Sequence, residues 1–164
     1  MNKYELTDET LQWGTRTLHR IRALIDILGE DGDVLAQKGE LGGYVESEKN
    51  LDQDGRCWVC GDARVCDNAW VCDNAQVCGN AEVSQNDHYL TIGLIGSRDD
   101  TTTFTRNATG VIHVKCGCFY GSLDKFRAKV KETHGDSKHA KVYLMAADLA
   151  ELQIDTTPIE EAYL

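Results

Sequence analysis

Between Val59 and Val83 the chain repeats itself every six residues: Val59-Cys60-Gly61-Asp62-Ala63-Arg64, Val65-Cys66-Asp67-Asn68-Ala69-Trp70, Val71-Cys72-Asp73-Asn74-Ala75-Gln76 and Val77-Cys78-Gly79-Asn80-Ala81-Glu82, with Val83 opening a fifth unit. A period of six with one aliphatic and one small residue per unit is the pattern of short strands stacked in parallel coils and disfavours a five-residue solenoid. Val at the first position and Ala at the fifth point inward and stack on their own counterparts. Gly, Asp and Asn at the third and fourth positions suit the corners, because they tolerate left-handed backbone angles or hydrogen-bond their own turn.

The phrase Leu41-Gly42-Gly43-Tyr44-Val45-Glu46-Ser47-Glu48-Lys49-Asn50-Leu51, followed by Cys57-Trp58-Val59 and the hexads, resembles the YdcK-like group of hexapeptide-repeat proteins found in bacteria and prophages. The resemblance spans roughly residues 3 to 87. It implies a left-handed β-helix of triangular section, with about eighteen residues per coil and assembly as a trimer. The fold expected is therefore mainly β. A short left-handed parallel β-helix (39–87) follows an N-terminal strand or hairpin cap (1–38), and a small α+β domain (88–164) completes the chain. Between Leu51 and Val59 the hexad register slips by two residues, read here as an insertion at Cys57-Trp58.

The cap is read from Ile21, Ala23, Ile25 and Ile27, which alternate as a strand, and from Gly29-Glu30-Asp31-Gly32-Asp33, a turn leading into Val34-Leu35-Ala36. Tyr4 to Asp8 reads as a polar lead-in. Beyond His88 the pattern changes. Tyr89–Ile95 and Thr101–Thr105 are strand candidates, and Asn107-Ala108-Thr109-Gly110 is a turn into Val111–Cys116. Ser122 caps a helix that ends at Gly135, and a second helix from about Ser137 to Leu152 carries Ala140, Tyr143, Leu144, Ala147 and Leu152 along one face. The order is β-β-β-α-α.

Charge is the most useful functional signal. Of the net −10, residues 30–87 hold −9, with thirteen acids against Lys38, Lys49, Arg56 and Arg64. A basic cluster for binding nucleic acid directly is missing. Such a field suits a basic partner and repels an anionic cofactor. No apolar run is long enough to span a bilayer and no basic-plus-apolar leader precedes Tyr4, so a cytoplasmic setting is expected, that of the host cell if the chain is phage-encoded.

Hexapeptide acyltransferases use a histidine as general base. From Arg20 to Asp87 there is no histidine, and His19 and His88 lie outside the hexads. Acyltransfer therefore stands only as an alternative. Seven cysteines, an odd number, with four at one repeat position, are repeat chemistry and not a disulfide framework. Cys60 and Cys78 are eighteen residues apart and stack within disulfide reach, but stay reduced in a cytoplasm. Cys116-Gly117-Cys118 with His113 invites a metal reading; alternation places His113 and Cys116 on opposite faces, so no metal or cofactor is expected.

In the C-terminal part, Ser97, Arg98, Asp99, Asp100 and Thr101 form a polar loop that is the candidate ligand-binding segment, Arg98 and the hydroxyls holding a phosphate or carboxylate. The bland alternative is a loop whose aspartates cap its own backbone. The function expected is a non-enzymatic acidic interaction protein of phage or prophage type. It would block a host nucleic-acid-handling defence protein, anti-CRISPR or anti-restriction in kind, through Glu46, Glu48, Asp52, Asp54, Asp62, Asp67, Asp73 and Glu82 as a nucleic-acid mimic. A stalk presenting a C-terminal ligand-binding module is a further alternative. Partners are a basic nucleic-acid-binding host protein and further copies of the chain as trimer or dimer, with Trp58, Trp70 and the repeat cysteines as outward apolar material; neither nucleic acid nor membrane is expected as a direct partner.

Overall fold

A computed structural model describes residues 1–159. Along the chain run β1 (Tyr4–Trp13), β2 (Arg16–Ala23), β3 (Ile27–Leu28), β4 (Val34–Ala36), β5 (Leu41–Val45), β6 (Trp58–Val59), β7 (Arg64–Val65), β8 (Gln76–Val77), β9 (Glu82–Val83), β10 (Tyr89–Ile95), β11 (Asp100–Arg106), β12 (Ile112–Cys116) and β13 (Phe119–Ser122), then α1 (Leu123–His134) and α2 (Lys138–Gln153). They form four sheets, ordered β1-β2-β5-β7-β9, β10-β11-β12-β13, β3-β4 and β6-β8.

The hexads obey their inward code. Val59, Val65, Val71, Val77 and Val83 and the alanines Ala63, Ala69, Ala75 and Ala81 are all buried in one core with Leu51, Trp58 and Tyr4. Arg64 and Val65 pair in parallel with Glu82 and Val83, eighteen residues on, and Trp58 and Val59 with Gln76 and Val77 at the same interval. Backbone amides of Cys60, Asp62, Arg64 and Cys66 donate to the carbonyls of Val77, Gly79, Ala81 and Val83, so the short strands and the turns between them share one ladder. At the third hexad position Gly61, Asp67, Asp73 and Gly79 all have positive φ, between 52° and 67°, the left-handed turn that only Gly, Asn and Asp adopt at little cost.

The expectation of a mainly-β chain built on a left-handed parallel β-helix is nevertheless corrected. The architecture is mixed, with thirteen strands in four small sheets plus two helices, and the hexads supply two-residue ladders split between two of those sheets instead of a solenoid. Two causes are visible. Four units are few, and the sheet that takes β7 and β9 is continued on its other side by the long antiparallel strands β1 and β2. The register also breaks: Leu51 pairs with Val71, twenty residues on, whereas Trp58 pairs with Gln76, eighteen on. The two extra residues fall in 52–54, where the Asp54 amide donates to the Asp52 carboxylate, and not at Cys57-Trp58.

Tyr4–Asp8 is no lead-in but the start of the ten-residue β1, whose Tyr4 is buried with its hydroxyl donating to Leu51 O at 2.7 Å. Trp58 is buried to 2 % exposure and Cys66 to 5 %, so of the apolar material expected outside only Trp70 is freely exposed. Cys60 and Cys78 are joined as a disulfide, in contrast to the reduced pair expected. The Leu41-Gly42-Gly43-Tyr44 phrase has a packing reason: a Cβ on Gly42 would lie 2.5 Å from Val59 O and 2.6 Å from Ile21 Cγ1, and one on Gly43 2.6 Å from Ala63 O.

In the C-terminal part the strand after the Cys-Gly-Cys turn, β13, was not anticipated; the order is β-β-β-β-α-α. Helix caps fall where Ser122, Ser137 and Gly135 predict them. Leu152, expected on the buried face of α2, is exposed, and that face is Ala140, Tyr143, Ala146, Ala147 and Ala150. Phe104 on β11 enters the helix-side core, while Thr103 on the opposite face accepts the Gln76 amide at 3.1 Å. β11 therefore lies between the helices and the hexads. Leu51→Ala, deleting a fully buried side chain at the register break, is expected to destabilise the fold by roughly 2–5 kcal/mol, read as a lowered urea midpoint at unchanged m-value.

Candidate functional site

The acids expected to face a partner divide into two groups. Glu82 is buried, and its carboxylate is 2.8 Å from Arg64 Nη1; burial lifts its pKa above the usual carboxylate range despite that arginine. Arg64 in turn lies 3.9 Å over the Trp13 ring. Glu82 is therefore a structural ion-pair partner and not a contact residue. Glu46 accepts the Asp67 amide at 2.8 Å, and Arg16 sits 2.6 Å from the Asp67 carboxylate, so these two acids are compensated within the fold. Glu48, Asp54, Asp62 and Asp73 are exposed, and Asp52 half-exposed, without a basic partner among the described residues.

Nor do the hexad acids line up. The Asp62 turn stacks on Gly79, the Asp67 turn on Glu46, and the Asp73 turn on Gly55, whose hypothetical Cβ would lie 2.5 Å from Asp73 O. These are three separate turn stacks, and Asp67 and Asp73 occupy left-handed positions that select Asp for backbone reasons. The surface carries distributed negative charge, not a row of it.

The segment Ser97–Thr101 is brought against the β3–β4 turn. Arg98 Nη2 donates to Asp31, and the Thr101 amide donates to Glu30 Oε2 at 2.8 Å and to Asp100 Oδ1 at 2.7 Å. Glu30 Oε1 accepts from Asn74 Nδ2 at 2.6 Å, which ties the same turn to a hexad. Asp99 takes the left-handed turn position with φ 49°. Ser97 is exposed at the rim of a cavity beside the Cys-Gly-Cys turn. The loop thus serves first as a clasp between the N-terminal hairpin and the C-terminal strands. Sequence reasoning missed Glu30 and Asp31 as its partners; the signal was the unusual acidity of the Gly29–Asp33 turn opposite a lone arginine.

Glu30 and Asp100 are brought together on the Thr101 amide, which donates to both carboxylates. Burial, and after it the neighbouring Glu30 carboxyl, push Asp100 up from its ordinary 3.8. Burial works in the opposite sense to the result at Glu30, where the contact with Asp100, the hydrogen bond from Thr101 and the charge of Arg56 hold the carboxyl below its ordinary 4.5. Among the described residues no cluster of three His, Cys, Asp or Glu side chains could hold a metal. His113 stacks on Tyr120 at 5.6 Å, and Cys116 accepts from the Thr102 hydroxyl. His19 Nδ1 lies 3.3 Å from Thr7 O, and His88, whose pKa burial lowers, is buried with Nδ1 accepting from Ser84 N. No described helix is long and apolar enough to cross a membrane. No family model matches the chain, and a search of curated proteins finds no match.

The clasp makes a signed prediction. Asp100, raised, contributes stability that is complete below its ordinary value and is lost as pH rises through its folded value; Glu30, lowered, contributes above its ordinary value and loses it as pH falls. Asp100→Asn removes the charge that burial penalises. It is expected to remove the loss of stability that otherwise sets in as pH rises above the ordinary 3.8 of Asp100, read by chemical denaturation, and an unchanged curve would contradict the raised Asp100.

Proposed function

We propose that this chain is a non-enzymatic acidic interaction protein whose partner is a basic, nucleic-acid-handling protein, the kind of target a phage or prophage inhibitor of host defence takes. The observation that supports this reading is the fate of the arginines. Arg16, Arg20, Arg22, Arg64, Arg98 and Arg127 each pair with a carboxylate of the fold, and Arg56 and Arg106 donate to backbone carbonyls. Glu48, Asp52, Asp54, Asp62 and Asp73 are among the acids without a basic partner in the described residues, and the net charge makes the outward field negative. In a chain of net −10 such a field speeds encounter with a basic surface and weakens as salt is added.

The test removes charge without straining the turns. Asp73 needs a left-handed backbone, so lysine there would confound charge with fold, whereas Asn tolerates it. Wild-type chain and a Glu48→Gln, Asp54→Asn, Asp62→Asn, Asp73→Asn variant are immobilised and exposed to host lysate at low and high salt. The captured protein is then assayed for nucleic-acid binding with and without the chain. The expected outcome is capture by the wild type alone, lost in salt, with nucleic acid displaced. Equal capture by the variant, or simultaneous binding of nucleic acid and chain, contradicts the reading.

Self-association enters the same proposal through α2. Met145, Leu149 and Leu152 are exposed at one helical face, an apolar stripe on which two copies of the chain pair. Met145→Glu is expected to convert a dimer to a monomer in light scattering; a wild-type monomer or trimer contradicts this surface.

A further inference from the structure

We infer that the cavity between the Cys-Gly-Cys turn and the two helices binds a small organic anion with a flat apolar body, such as an aromatic carboxylate. The cavity has a volume of about 210 Å³ and is formed by segments far apart in sequence: the 97–98 turn, β13 and the turn before it, α1 and α2. Its walls are aromatic. Phe126 stands at the centre, 5.6 Å from Phe119 and 5.8 Å from Tyr143 between ring centroids. Rings already set edge to face offer a further ring the same offset contacts they make with one another.

The polar groups at this cavity distinguish it from its neighbours. Arg98, Lys129 and His134 border it and no carboxylate does. Each of the other four cavities described carries an acid: Glu30 and Asp73 in one, Asp124 and Glu151 in a second, Asp31, Asp33 and Asp100 in a third, Asp26 in the last. Two cations and a histidine around an apolar slot, in a chain of net −10, is the arrangement that captures a carboxylate while its body enters the slot.

The cations are available. Arg98 donates one hydrogen bond among the described residues, from Nη2 to Asp31, and a guanidinium has five donors. Its Nε and Nη1 lie along Gly117, 3.2 and 3.3 Å from where a Cβ would be, so a glycine there lets the guanidinium lie flat against the turn at the cavity. Among the described residues Lys129 pairs with Glu132 alone, an exposed contact on its own helix that a ligand carboxylate can displace. His134 is half-buried beside Tyr143, with ring centroids 5.6 Å apart. The volume suits one ring with its carboxylate and falls short of the ~300–1,000 Å³ of drug-sized sites, so the ligand is a small metabolite-sized acid and not a nucleotide.

The experiment is a titration of the isotope-labelled full chain followed by amide chemical shifts, with three probes: benzoate, its neutral isostere benzamide, and inorganic phosphate. The inference expects saturable benzoate shifts at Ser97, Lys129, His134 and Tyr143, with a Kd on the order of 1 mM, and binding at least about tenfold weaker for benzamide and for phosphate. Lys129→Glu with His134→Gln, an exposed and a half-buried position of α1 at the cavity, should abolish the benzoate shifts while leaving the rest of the spectrum in place, and Lys129→Arg should keep them. No saturation by about 10 mM, equal affinity for benzamide, equal affinity for phosphate, or shifts unaffected by the double variant would each overturn the inference. Glu48, Asp54, Asp62 and Asp73 are not used by this site, so its failure leaves the acidic-surface reading standing, and the converse holds as well.

Discussion

The rest of the molecule depends on one repeated contact, the stacking of an inward Val and an inward Ala on their counterparts eighteen residues along the chain. Each buried valine contributes about 1.5–3 kcal/mol of transfer free energy, and the amides between the stacked residues are satisfied by the same register. The contact is possible only if the backbone turns sharply between units. Left-handed Gly61, Asp67, Asp73 and Gly79 provide that turn. The hexads then form a rigid face on which β11 lies through its threonines, and to which the Glu30–Asp31 turn is tied through Asn74.

That dependence explains how charge and structure are linked. An aspartate at the third hexad position serves the turn first and the surface field second, which is why the hexad acids scatter over three turn stacks. Where an acid falls next to a core-facing position, as Glu82 does, the fold answers with an arginine laid over Trp13. Each arginine makes at least one contact of this kind or a bond to a backbone carbonyl within the fold. The negative surplus of the surface is therefore a by-product of how the turns and the core are built.

Much of the local structure was legible in the sequence because it is written in short-range rules. The valine and alanine burial, the hairpin at Gly29–Asp33, the caps at Ser122, Ser137 and Gly135, and the β11–β12 turn all follow from period, propensity or turn chemistry. What failed was long-range. β1 looks polar because most of its side chains between Tyr4 and Trp13 are exposed or half-exposed, and only its pairing with β2 makes it a strand. The sheet membership of the two-residue hexad strands depends on β1 and β2 as well, and so the mixed architecture could not be read from a six-residue period. The clasp between Arg98 and Asp31 joins residues 67 apart, and the cavity beside it draws on four separate segments, which no local pattern announces.

Native-state hydrogen exchange of single amides tests the central claim most directly. If the stacked hexads are the platform, the amides of Cys60, Arg64 and Cys66 exchange only through global unfolding, as slowly as those of β11, while the 97–99 turn opens locally. Fast exchange of the hexad amides beside a protected β10–β13 sheet would contradict it, and would make the C-terminal sheet and its helices the unit on which the rest of the chain is assembled.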